Sequence, residues 1–147
     1  MGNKKLKEKE LKGTPYEGFE IRRLVEKSIF KNPKQTIDEF IECVEEERHI
    51  NIKTGFHYKF FNEEKLEDVS DEKNYKSKLW GTYLQYNQLG YSIRKNQKPY
   101  TICHQSMKEE TDGRGNNHIN PVILNGFHNV FNFDQVERNN GKRKKLS

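Results

Sequence analysis

Apolar residues recur at helical spacing twice in the first third of the chain. Ile21, Leu24, Val25 and Ile29, with Ser28, share one face. They predict a helix that the turn-like TPYEG at 14–18 introduces and Asn32-Pro33 ends. Ile37, Phe40, Ile41 and Val44 form a second stripe, opened by a capping box in which Thr36 caps and Glu39 reaches back. The other faces of this second helix carry Asp38, Glu39, Glu42, Glu45, Glu46 and Glu47. Such a run reads as a solvated face, with an acidic docking site as the alternative. Residues 50–61, INIKTGFHYKFF, look extended and are broken by Gly55; 62–73 reads as a polar acidic connector. Trp80 then precedes a short helix with Thr82 as N-cap and Gly90 as the residue after its C-cap. Residues 92–94 and 100–103 read as a hairpin over Lys95-Asn96-Gln97-Lys98, where Asn tolerates the positive φ that tight turns demand. DGRGNN and Asn120-Pro121 mark 106–121 as a mobile loop, and a strand around 128–136 closes the pattern. The prediction is an α+β fold: a small single domain over 14–137, few helices packed on a short, mostly antiparallel sheet. Charged flexible tails over 1–13 and 138–147 flank it.

Composition narrows this picture. In 147 residues, 31% hydrophobic and 33% charged, one modest core is available. The net charge of +5 favours a polyanionic partner only weakly. Much of the basicity lies at the ends, in Lys4, Lys5, Lys7, Lys9 and Lys12 and in GKRKK at 141–145, which offer nothing apolar to bury. Cys43 and Cys103 stand far apart without a CxxC and read as buried thiols in a reducing compartment. No run of about 18 apolar residues exists, and the N-terminus lacks a hydrophobic signal core. A cytoplasmic protein with no membrane partner is therefore expected. His49, His57, His104, His118 and His128 show no metal-ligand spacing and there is no HExxH, so no metal, cofactor or catalytic residue is expected.

The charges are not evenly spread. Residues 74–105, NYKSKLWGTYLQYNQLGYSIRKNQKPYTICHQ, contain no acid, yet hold the only Trp and five of the seven tyrosines. Cations interleaved with flat rings suit a single-stranded nucleic acid, because the cations neutralise phosphates and the rings stack on bases. The candidate DNA-binding residues are Lys76, Lys78, Tyr83, Tyr86, Tyr91, Arg94, Lys95, Lys98 and Tyr100. Arg94, Lys95 and Lys98 are the best phosphate contacts, since a tight turn projects them into solvent; the bland alternative is an edge hairpin kept soluble by its charges. Two rings that stack would each contribute roughly 1–3 kcal/mol. Trp80 is assigned to the core, and one of Tyr83, Tyr86 and Tyr91 can belong there too. Alternation puts Phe131 and Phe133 on one face, in the core, and Asn132 and Asp134 on the other. Asp134 would repel phosphate, so it orders a turn or pairs with a basic neighbour. Gln135 is placed to bond either a base or its own backbone.

Three segments resemble the N-terminal single-stranded-DNA-binding domain of the ArdC antirestriction family, a module also found in plasmid primases and other mobile-element proteins. They are 80–85 (WGTYLQ) running on to Leu89-Gly90, the basic turn 92–98 (SIRKNQK), and the closing 130–136 (VFNFDQV). Their order and spacing agree with the family across 80–136. Tyr16-Glu17-Gly18-Phe19-Glu20 resembles its opening segment, with Glu20 where an Asn is common, and Asn96 and Gln97 stand in place of the usual Gly and Glu. Segment 31–72 has no assigned counterpart and reads as an insertion. The metalloprotease-like domain that follows this module in full-length family members has no counterpart here.

The resemblance implies a non-enzymatic single-stranded-DNA-binding protein of a mobile element such as a plasmid or phage, serving antirestriction, antidefence, or DNA transfer and replication. A second reading is a protein-directed inhibitor of a host nuclease or CRISPR effector, with a host defence protein as partner; the positive net charge opposes whole-surface DNA mimicry, while the acidic helix around 38–47 allows a local version. A third, a nuclease or primase fragment, needs clustered carboxylates around Mg²⁺. The segment expected to touch DNA has none before Glu109, Glu110 and Asp112.

Overall fold

The structure, a computed structural model, describes residues 11–21 and 33–139. The helix expected over 21–29 and most of both expected tails lie outside the described residues. Of the segment read as an N-terminal tail, Leu11 is buried in the core, and Thr14 anchors it by donating its hydroxyl to the Leu11 carbonyl at 2.6 Å.

Helix α1 (Pro33–Glu45) starts three residues before the expected capping box. Proline at the first helical position forfeits no hydrogen bond there, so Thr36 falls inside the helix. Phe40 is buried in the core with Ile37 and Val44 packed against it, as the stripe predicts, and Cys43 joins them. The helix ends with Glu47 at φ 56, its N–H reaching the Val44 carbonyl at 3.0 Å and the Arg48 N–H reaching Cys43 at 2.9 Å. This double closure normally uses glycine. Strand β1 (Ile50–Asn51) follows, and only these two residues of the expected extended run are strand.

The expected acidic connector is instead helix α2 (Phe60–Lys73). Its inward residues are Asn62, Leu66, Val69 and Ser70, a helical spacing that is half polar and so reads as connector. The asparagine has a specific partner. Its amide donates to the Cys103 carbonyl at 2.8 Å and its oxygen accepts the Cys103 N–H at 3.0 Å, as a neighbouring strand would. Lys65 donates to the Thr101 carbonyl at 2.6 Å and Gln105 to the Lys59 carbonyl at 2.6 Å. Helix α2 thereby covers a sheet edge that would otherwise expose unpaired backbone groups. A bidentate Arg48–Glu63 pair ties the end of α1 to α2.

Strand β2 (Leu79–Gly81) pairs parallel to β1 and antiparallel to β5 (Asn117–Asn132), which pairs antiparallel to β4 (Tyr100–Thr111), giving the order β1-β2-β5-β4. Between β2 and β4 lie the short helix α3 (Tyr83–Gln88) and β3 (Tyr91–Ile93). After β5, a single 3-10 turn (Phe133–Gln135) leads to β6 (Val136–Arg138), which pairs with β3 in a separate two-stranded sheet. The expected loop over 106–121 is thus mostly strand. Beyond a register shift between Cys103 and Gln105, β4 and β5 run on as a two-stranded arm whose tip is ordered by Asp112 accepting the Arg114 and Asn116 N–H groups.

The main sheet is buried on both faces near β2. Leu79 faces α1 with Phe40, Ile50, Tyr86 and Phe131, while Trp80 faces α2 with Leu66, Val69, Ile102 and Val130. Trp80 and both phenylalanines, Phe131 and Phe133, sit in or against the core as expected. Of the cysteines, Cys43 is buried, whereas Cys103 is only half-buried; both are free thiols.

The Trp80 indole N–H donates to His49 Nδ1 at 2.9 Å, and His49 Nε2 lies 2.7 Å from Glu67 Oε1. An indole can only donate, so Nδ1 must be the acceptor and the proton sits on Nε2. Burial holds the His49 pKa below the ordinary histidine value, and the His49 hydrogen bond holds Glu67 below the ordinary carboxylate range.

Two outcomes follow for stability. Asn62→Ala leaves the Cys103 N–H and carbonyl unpaired and is expected to cost about 1–3 kcal/mol in urea unfolding; a change inside about 0.5 kcal/mol, the usual range of a neutral surface substitution, would refute the clamp. The pH dependence follows from His49. The unfolded chain binds a proton near pH 6.5 and the folded one only at lower pH, so between these values the unfolded state holds more protons. Stability is therefore intact above about pH 6.5 and is lost as pH falls through the folded pKa, by at most about 1.4 kcal/mol per pH unit. Glu67 acts in the same direction at lower pH. Melting temperatures from pH 7 to 5 should fall less steeply in His49→Gln than in the parent protein; parallel slopes would dismiss His49 as the titrating group.

Candidate nucleic-acid interface

The basic turn is not the apex of a hairpin. Strand β3 pairs with β6, in the register Tyr91↔Arg138, Ser92↔Glu137 and Ile93↔Val136, so residues 94–99 cross from one sheet to the other. The reason lies in the closing motif. The Arg94 N–H donates to the Gln135 carbonyl at 2.8 Å. The Gln135 side chain, 1% exposed, donates to the Lys98 carbonyl at 2.9 Å and accepts the Asn132 N–H at 2.7 Å. Gln135 therefore bonds backbone, and part of that backbone is the basic turn itself. Asn96 takes φ 67, as its expected turn role requires.

Asn132 and Asp134 complete the clamp. Asn132 Oδ1 accepts the Asp134 N–H at 2.8 Å and its amide donates to the Ser77 carbonyl at 2.8 Å. Asp134 accepts the Lys76 N–H at 2.6 Å and so holds the backbone of the segment that links α2 to β2. The opening segment joins here too. The Phe133 ring lies against Gly18, where a Cβ would stand 2.8 Å from Cζ, at a backbone φ of 101. Residues from 16–20 and 130–136, far apart in sequence, thus meet at one close approach that requires glycine.

The cations separate into two groups. Lys95 and Lys98 are exposed and form no ion pair among the described residues. Arg94, with its side chain 55% exposed, has a guanidinium nitrogen 4.0 Å from Glu137 and donates from Nε to the Val136 carbonyl at 3.2 Å. Lys76 is exposed. Lys78 is engaged: its ammonium donates to the Glu47 carbonyl at 3.0 Å and lies 3.8 Å from Glu67, so a phosphate would have to displace acids. Arg138, read from sequence as the start of a tail, lies on β6 with its guanidinium 5.7 Å from the Tyr91 ring centroid. Only the β3–β6 pairing reveals it.

The aromatic group divides likewise. Tyr83 is 59% exposed, beside Leu84 at 61%. Tyr86 is fully buried, its hydroxyl donating to the Phe131 carbonyl at 3.0 Å, and burial drives its pKa far up. It is a core residue and is corrected out of the binding set, because one helical turn of α3 carries Tyr83 and Tyr86 to different environments. Tyr91 is half-buried, edge-on to Tyr86 and Phe133. Tyr100 is half-buried as well, its hydroxyl 3.0 Å from that of Tyr75 and its ring edge-on to Trp80. Tyr83 is thus the most exposed of the ring candidates. Helix α3 that carries it begins with the expected Thr82 cap, reciprocated by Gln85, and leads into Gly90 at φ 89.

Gln135→Ala removes both bonds that its side chain makes to Asn132 and Lys98. It is expected to destabilise the domain by about 1–3 kcal/mol in urea unfolding and to speed hydrogen exchange at the Asn132 amide. Unchanged exchange at that amide would contradict the clamp.

The family model for the N-terminal domain of anti-restriction factor ArdC matches residues 12–145. Among solved structures, the chain is similar to the antirestriction ArdC protein from the R388 plasmid. Its metal-free structure is 26% identical, over 74% of this chain and 42% of that one, with a TM-score of 0.47. Its Mn(II)-bound structure is 22% identical, over 71% and 40%, with a TM-score of 0.44. The chain therefore spans less than half the length of these relatives. No curated protein matches. The chain belongs to the family of the N-terminal domain of anti-restriction factor ArdC.

Proposed function

We propose that the domain binds single-stranded DNA without chemistry of its own, in the service of a mobile genetic element. The antirestriction name of its relatives supports a service in evading host defence. The observation that carries the reading is the turn at 94–98. Lys95 and Lys98 project from a backbone that Gln135 holds rigidly, with no described acid paired to either. A fixed backbone with free ammonium groups lets phosphates bind with little ordering of the protein. Tyr83 supplies an exposed ring for stacking, and Arg138 a further cation.

A second reading has its own observation. Helix α1 exposes Glu39 and Glu42 along one border of a cavity of about 480 Å³ that also reaches Phe56 and His57, and Glu45 is exposed further along the same helix. An acidic rim around an apolar hollow suits a basic protein partner, such as a nucleic-acid-handling host factor.

Titrating labelled single- and double-stranded oligonucleotides across a salt series separates the two. Neutralising about four phosphates on a single strand gives a log–log slope near −3, or roughly fifty-fold weaker binding from 50 to 200 mM salt. Changing Arg94, Lys95 and Lys98 together to Glu should abolish this binding, while changing Glu39, Glu42 and Glu45 to Lys should preserve it. Absence of any preference for single strands at 50 mM salt would overturn the proposal and turn attention to the acidic rim.

A further inference from the structure

A cleft of about 290 Å³ opens between β1, residues 54–58, the start of α3, and strands β4 and β5. Ile102 and Val130, both buried, are its apolar lining, and Phe56, Tyr58 and His128 are aromatic walls. Its volume is at the low end for small-molecule sites, suited to a single ring system rather than a whole nucleotide. None of its lining residues is Lys, Arg, Asp or Glu, unlike the larger hollow beside α1 with its two glutamates. An anion meets no Lys or Arg here, whereas a neutral ring needs none.

Its polar groups are unevenly satisfied. The Asn51 amide donates to the Tyr58 hydroxyl at 2.9 Å and to Gln85 Oε1 at 2.9 Å, and its oxygen accepts the Lys53 and Thr54 N–H groups. Asn51 is saturated. Gln85 Oε1 also accepts the Thr82 N–H at 2.9 Å, so it too is full, but the Gln85 amide hydrogens have no acceptor among the described residues. The Tyr58 hydroxyl accepts from Asn51 and keeps its own hydrogen to donate; burial pushes its pKa up to about 12, so that hydrogen stays in place. The cleft therefore holds spare donors, from Gln85 and Tyr58, beside an apolar, aromatic-walled hollow.

We propose that this cleft receives one unstacked base of the bound strand and favours bases that carry a ring carbonyl, with Gln85 and Tyr58 donating to that oxygen. The inference rests on the single-strand reading above and deepens it. Lys98 and Ile102 are four residues apart, at most about 14 Å of extended chain, so a strand held at the basic turn passes within a few nucleotides of the cleft. Thymine, guanine and cytosine carry such an oxygen and adenine does not.

The test compares oligo(dT), oligo(dA) and a strand of equal length whose central residues are abasic, each titrated into the full chain. Oligo(dT) is expected to bind about tenfold more tightly than either of the others, with the same salt slope for all three. Tyr58→Phe, which keeps the ring, and His128→Ala, at an exposed position, should each shrink the advantage over the abasic strand while leaving the affinity for that strand unchanged. A Tyr83→Ala control reports stacking outside the cleft. If neither variant alters the advantage, the cleft inference falls while single-strand binding stands. If no strand binds, both fall.

Discussion

Side-chain amides hold this domain together where backbone pairing stops. A chain with 31% hydrophobic residues has little apolar surface with which to build a large core. Strands β1, β2, β3 and β6 are three residues or shorter. Such short strands leave N–H and carbonyl groups facing inward at their ends, and each unpaired buried group costs more than a made bond returns. Asn62 completes the outer edge of β4, Asn132 and Gln135 close the end of β5, and Asn51 and Gln85 close the end of β1. Asn62, Asn132, Gln135 and Asn51 each use both the donor and the acceptor of one amide, which a carboxylate cannot offer.

That constraint explains what could be read from the chain. The capping box of Thr82 and Gln85, the glycine after α3, the buried Trp80 and the positive φ of Asn96 are local features, set by residues within a few positions of one another. They were legible. Helix α2 was not, because two of its four inward residues are polar, and the reason for Asn62 lies on a strand 41 positions away. The pairing of β3 with β6 was hidden likewise. Alternation in 92–94 and 100–103 suggests a hairpin, but the closing segment 136–138 competes for the same edge, and Gln135 decides the contest by binding the turn.

The candidate site shows the same division. Exposure of Arg94, Lys95 and Lys98 follows from local turn chemistry, and the resemblance marked those residues. Sorting the tyrosines required the tertiary structure. Tyr83 and Tyr86 are three positions apart on one short helix, yet one is the most exposed ring of the group and the other is sealed under Phe131. The engagement of Lys78 is hidden from the sequence for a comparable reason: its acids are Glu47, just past the end of α1, and Glu67, in the middle of α2.

The turn and the cleft differ in the range over which they act. Charge on the turn is felt over about 8 Å at physiological ionic strength, whatever the base sequence. The cleft, with no Lys, Arg, Asp or Glu in its lining, would act only on a base already in contact. Under the proposals above, a strand captured by the turn would be sampled by the cleft afterwards, and added salt would weaken the first step without touching the second. An equal salt slope for strands that differ only in their bases is the signature of that order. A domain built this way would hold any single strand that reaches it, and would rest longest where a carbonyl-bearing base can leave the stack.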